Sequence, residues 1–152
     1  MTKKKKDKEE KPYFTVEFYL KTQPFQEDII DKRFEIGRKI YNGMNHVMQN
    51  RYKEMVKTKE YRELISSKPA TAKERKKRNA RLFKIRKDNG FTINGFRDSK
   101  MYLPFKKNID ANTAQKIDER LWKAYEKYIF DGNCKTVHFQ KYGTFNSLEG
   151  KT

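Results

Sequence analysis

Cysteine is nearly absent: Cys134 is the single one among 152 residues, which excludes an internal disulfide framework and fits a reducing compartment. Histidine is almost as scarce, with His46 and His138 alone. Cys134 and His138 stand four apart, but without a second Cys/His pair they supply half a zinc site at best. His46 follows Asn45 and has no Cys, Asp or Glu at triad spacing, so it reads as a polar surface residue. Long apolar runs are missing too. None approaches the roughly 20 residues a bilayer span requires, and the charges of Met1 to Lys11 precede no apolar stretch of the kind a secretory leader carries. The chain is therefore expected in the cytoplasm, associated with the nucleoid, and away from membranes. Acidic residues lie mostly within a few positions of Lys or Arg, and no cluster suited to two-metal nuclease chemistry stands out. No catalytic residue, metal ligand or cofactor is nominated.

What the sequence has in abundance is positive charge. It carries 37 Lys and Arg against 20 Asp and Glu, a formal net charge of +17. Such a surplus repels itself in the compact state unless a polyanion balances it. Among the cations stand 11 Phe, 9 Tyr and one Trp, and base stacking needs aromatic faces beside phosphate-binding charges. Nucleic acid is the partner this composition points to. With 35% hydrophobic residues and a mean hydropathy of −1.14, the core is modest, in one domain or two small lobes.

Along the chain, residues 1–11 form a Lys/Glu-rich tail without apolar periodicity, read as disordered. Over Tyr13 to Lys21 the apolar Phe14, Val16, Phe18 and Leu20 recur every second residue, the pattern of a strand with one buried face, and Pro24 stops it. From Gln26 to Ile65 the spacing turns helical, with Ile30, Phe34, Tyr41, Met44, Met48, Tyr52 and Met55 on one stripe. Gly37 and Gly43 weaken that helix by up to about 1 kcal/mol each, which is tolerated where another group approaches closely. Ser66, Ser67 and Pro69 end it. Thr71 with Glu74 makes a capping box for a second helix reaching Lys87 or Asp88, with Asn89 and Gly90 suited to a left-handed C-terminal cap. A short helix is expected over Asn94 to Met101 and an extended piece over Tyr102 to Phe105. The third long helix shows Ala114, Ile117, Leu121, Ala124 and Tyr128 at spacings of three and four, with Asp110 or Asn112 as cap and Gly132 after it. Lys135 to Lys141 alternates again, with Val137 and Phe139 on one face, and is read as a second strand adjacent to the first. The fold class expected is α+β, a helical insertion splitting a small β-module.

The strongest local signal is the second helix. Lys73, Arg75, Lys76, Lys77, Arg78, Arg81, Lys84, Arg86 and Lys87 supply nine cations between Thr71 and Lys87 against the one acid Glu74. Its core face is limited to Leu82, Phe83 and Ile85, with Ala72 and Ala80. A charge run is usually a solvated face, but cations at this density have few acids at i+4 to relieve their repulsion, so the helix is read as tracking phosphates. Arg51, Tyr52 and Trp122 are added as candidate contacts, the two aromatics either stacking on a base or joining the core.

Several segments resemble the N-terminal part of TnpB-like proteins, the transposon-encoded RNA-guided nucleases related to compact type V CRISPR effectors. They are ANTAQKIDERLWKAY at 111–125, VHFQKYG at 137–143, FNSLEGK at 145–151, and Phe34 to Met48 with GRKIYN at 37–42. The resemblance implies a wedge-type β-barrel begun by residues 12–24, a helical recognition lobe inserted over 25–132, and a barrel that resumes, incomplete, over 133–152. It implies a guide RNA and a double-stranded DNA target as partners. Cleavage would fall to a RuvC-like domain, downstream or on a separate chain, and Mg2+ would be needed there alone. The alternative is a free-standing basic RNA-binding protein without a guide.

Overall fold

Pro24 occupies the first turn of a long helix, where its missing N–H costs nothing, and the backbone N–H of Gln23 donates to Gln26 Oε1 at 2.8 Å to close the start. In the computed structural model, which describes residues 14–131 and 136–150, this helix is α1, Pro24–Lys57. Thr58 ends it. Its backbone is extended, with ψ 132°, and its hydroxyl and amide both donate to the Met55 carbonyl, at 2.7 and 3.2 Å. A separate helix α2, Lys59–Ser66, follows, so the long helix expected over Gln26 to Ile65, with a bend allowed in it, is two helices broken at Thr58. The turn at Thr58 brings Tyr61 back into the core.

Helix α3, Ala72–Asp88, begins at the Thr71 and Glu74 capping box and ends at Gly90, whose φ of +64° suits a residue without Cβ. Helix α4 spans Ile93–Asp98 and is capped by Thr92. Leu103–Phe105 is a 3-10 turn, not the extended piece expected there. Helix α5, Ala111–Glu126, is capped by Asp110, whose Oδ1 accepts from the Asn112 and Thr113 amides at 2.8 and 3.0 Å. One π-helical turn, Lys127–Asp131, prolongs it.

The core lies where α1 packs on α5 and α4 closes the end. Ile40, Tyr41, Met44, Met48 and Met55 of α1 are buried with Ile117, Leu121 and Tyr125 of α5, and Phe91 and Phe96 complete the cluster. Aromatic edges meet faces there: Phe91 and Tyr125 ring centres lie 5.4 Å apart, Phe96 and Trp122 5.2 Å. Gly37 stands where a Cβ would come within 2.7 Å of the Phe145 ring, so its absence lets the C-terminal segment lie flat on α1.

The α+β expectation is overturned. Among the described residues there is no strand, sheet or barrel, and the regular structure is helical throughout. The physical reason differs at the two sites. Residues 136–140 belong to no regular element, and their backbone bonds to side chains of α1 in place of a second strand. Asn42 pairs both ways with Gln140, receiving its N–H at 2.8 Å and donating to its carbonyl at 2.9 Å. Asn45 and Gln49 donate to the Val137 carbonyl at 3.3 and 3.1 Å, and Arg38 adds a bond to Gln140 at 3.3 Å. These four side chains, three or four residues apart, form one row along the helix. Val137 is buried against them while Phe139 faces out, so the alternation does not define a common face. Residues 14–20 lie on no sheet at all, with Phe14 88% and Phe18 83% exposed; an alternating segment without a partner has no ladder to join. The basic tail at 1–11, Tyr13, Gly132, Cys134 and Lys135 fall outside the described residues.

Candidate nucleic-acid interface

Helix α3 presents nine cations and two acids, Glu74 and Asp88, over 17 residues, a length of roughly 25 Å at about 1.5 Å per residue. Only Leu82 and Ile85 are buried from it. Opposite them, Lys73, Lys76, Lys77, Lys84 and Lys87 recur at spacings of three, four and seven, and all are exposed. This makes a single stripe along the solvent side. None of the five is in an ion pair among the described residues. Arg75 is exposed beside the buried face, and Arg78 is half-buried.

Arg81 differs from its neighbours because it clamps α2. Its Nε and Nη2 donate to the two carboxylate oxygens of Glu60, the second at 3.0 Å. That bidentate bond, reinforced by the charges of Arg81 and then Lys84, holds the Glu60 carboxyl below its ordinary range. The clamp links α2 to α3 and gives one of the predicted cations an acidic partner, although the Arg81 side chain stays about half exposed, at 47%.

Arg51, Tyr52 and Trp122 lie apart from the stripe. The Arg51 guanidinium donates from Nη1 to the Gly90 and Gly95 carbonyls, at 2.9 and 3.0 Å, and so ties the end of α3 to α4. Tyr52 packs between Phe91 and Tyr128, with centroids 5.7 and 5.5 Å away, and burial pushes its hydroxyl up to about 12. Trp122 packs on Phe96 and donates from Nε1 to Glu126 at 2.7 Å. All three are partly buried and engaged within the fold. The aromatic that does accompany the cations is Phe83, 61% exposed. It sits seven residues after Lys76 and four before Lys87, on the flank of the stripe. Sequence reasoning placed it in the core because it is apolar; its cationic neighbours were the signal that it faces the other way.

His46 is exposed on α1, with Nε2 3.1 Å from Asn50 Nδ2. Among the described residues no group of three or more His, Cys, Asp or Glu is placed to hold a metal ion, and no helix is long and apolar enough to cross a membrane. No family model, no curated protein and no solved structure matches this chain.

Proposed function

We propose that the chain binds folded or single-stranded RNA through the solvent face of α3, with Lys73, Lys76, Lys77, Lys84 and Lys87 on successive phosphates and Phe83 available to a base. The observation that supports this is the stripe itself: five exposed lysines on one helix face, none in an ion pair among the described residues, on an element that contributes just two side chains to the core. A helix kept in this state by selection for solubility alone would gain from acids at i+4, which relieve the repulsion. The finer reading, a guide-RNA-gripping part of a TnpB-like nuclease that also meets duplex DNA, rests on the sequence resemblance.

If the five lysines meet about five phosphates, log affinity falls against log salt with a slope of roughly −3.5 to −4.5. Lys76→Glu then lowers affinity for all RNAs alike and flattens the slope by nearly one unit, since phosphate contacts position without reading sequence. Filter binding between 50 and 300 mM salt measures both. Unchanged affinity and slope in folded Lys76→Glu and Lys77→Glu variants would falsify the assignment. Retained binding of a single guide-like RNA against scrambled competitors separates the guide reading from a general RNA-binding protein.

A further inference from the structure

Between α2 and α3 lies an open groove of about 770 Å3, within the roughly 300–1,000 Å3 common for ligand sites. Leu64 of α2, Pro69 in the connection and Ala80 of α3 give it apolar walls, and Lys68, Lys77 and Arg78 stand around them. Its one carboxylate, Glu74, accepts from the Ala70 and Thr71 amides through Oε2, at 3.1 and 3.2 Å, and is outnumbered by the cations of the lining. A ligand for this groove therefore has apolar flat faces and an anionic edge.

Two further observations narrow the choice. Arg78 is half-buried in the groove wall, and its guanidinium adds a fixed positive charge to the lining beside Lys77 and Lys84. Lys77 and Lys84 belong at once to the groove lining and to the phosphate stripe, so a strand following the stripe passes directly over the opening.

We propose that the groove receives the unpaired base of a bulge or loop in folded RNA, while Lys77 and Lys84 hold the flanking phosphates and Arg78 meets the sugar-phosphate edge. This rests on the reading of α3 as the phosphate-binding face. RNA is favoured over duplex DNA because a bulge presents its base already unstacked, whereas a duplex base must first be extruded at a cost.

The test uses the full chain and two RNA hairpins with one stem, the first fully paired, the second carrying a single 2-aminopurine bulge. The bulged hairpin should bind about tenfold tighter, near the lower end of what one seated base supplies, and its fluorescence should change on binding. Leu64→Trp, which fills the groove from the α2 wall and away from the lysine stripe, should abolish that preference and leave the affinity and salt slope of the paired hairpin in place. Should the Trp variant not fold, by circular dichroism, the preference and fluorescence of the unaltered chain decide alone. Equal affinities with silent fluorescence overturn the groove while leaving the stripe standing; absence of binding to either hairpin at low salt overturns both. A preference for the same bulge in DNA overturns the choice of RNA, and displacement of the fluorescent hairpin by an acidic peptide at equal concentration reassigns the groove to a peptide.

Discussion

Asp118 lies inside the fold, 5% exposed, on the face of α5 that meets α4. Removal from water pushes its carboxyl up from an ordinary value of 3.8 to about 7, against the opposing charge of Arg97 and with the Glu119 carboxylate adding to the rise. Arg97 gives limited help because it is shared: its Nη2 donates to Glu119 Oε1 at 3.1 Å, while Lys116 Nζ lies 3.6 Å from the other oxygen, Oε2. The folded state thus keeps a proton that the unfolded state gives up. Folding takes up a proton between the two values, so the stability tied to Asp118 is present below about pH 4, declines as pH rises, and is lost by about pH 7. A difference of about three pKa units corresponds to a ceiling of roughly 4 kcal/mol, and relaxation and water entry reduce it, so about 1–3 kcal/mol is expected. Asp118→Asn keeps the shape and removes the titration. Urea unfolding should find the variant more stable by that amount at pH 8 and equal to the parent at pH 4. Other carboxylates act the opposite way, since Glu35, Glu60 and Asp110 are held below their ordinary values by hydrogen bonds. Their effect is common to both proteins and cancels in the difference. A variant less stable than the parent at pH 8 would show that Asp118 is charged and gainfully paired with Arg97, and the reasoning fails.

Three other expectations concern the docked segment, the clamp and the end of α3. Asn45 is fully buried and its Oδ1 accepts from the Tyr125 hydroxyl at 2.7 Å while its Nδ2 donates to Val137; Asn45→Ala should cost about 1–3 kcal/mol by removing both bonds and leaving the hydroxyl only the longer contact to the residue 45 carbonyl, 3.4 Å, and a cycle with Tyr125→Phe should show coupling above about 0.5 kcal/mol. Additive single costs would remove the hydrogen bond from the account. Glu60→Gln frees the Arg81 guanidinium beside the lysine stripe, so RNA affinity should rise and the salt slope should steepen by up to about 0.9; a flatter slope would mean that the clamp is needed to aim α3. Arg51→Met leaves the Gly90 and Gly95 carbonyls without their donor and should destabilise by about 2–3 kcal/mol, yet the salt slope of the folded protein should not move, and a loss of one unit would return Arg51 to the interface.

Local signals in the sequence carried the helices well. Thr71 with Glu74, Asn89 with Gly90, and Asp110 are chemical markers within three residues of the ends they set, and the spacing of Tyr41, Met44, Met48 and Met55 is enough to choose the buried face of α1. The break at Thr58 has no such marker: a threonine between lysines gives little warning that its hydroxyl and amide will both turn onto Met55. The missing sheet is a longer-range matter. Val137 and Phe139 alternate as a strand does, and what decides otherwise is a row of carboxamides at Asn42, Asn45 and Gln49, some ninety positions earlier in the chain. A helix face able to serve as an edge strand cannot be inferred from either segment alone. The same limit applied to Tyr52 and Trp122, whose spacing allowed both a base and the core, and whose neighbours Phe91 and Phe96 come from another part of the chain.

The division of labour within α3 explains how one helix tolerates nine cations. Its folding information is confined to the capping box, the Gly90 turn, Leu82, Ile85 and the Glu60 clamp. None of these lies on the lysine stripe, so the stripe is free to vary in charge without loss of core contacts. The repulsion along it is still present and opposes the helix in the absence of a partner. On the reading proposed above, a polyanion laid on that face would remove the repulsion as it binds, and the ligand would itself be the missing counter-charge. By mass action, RNA at about 100 times its dissociation constant then stabilises the fold by roughly 2.7 kcal/mol, and the gain shrinks with salt along the same slope as the binding. Thermal stability measured with and without RNA, across a salt series, therefore reads the interface without any labelled ligand: parallel losses in both quantities tie the stripe to binding, while a melting temperature indifferent to RNA at low salt separates them.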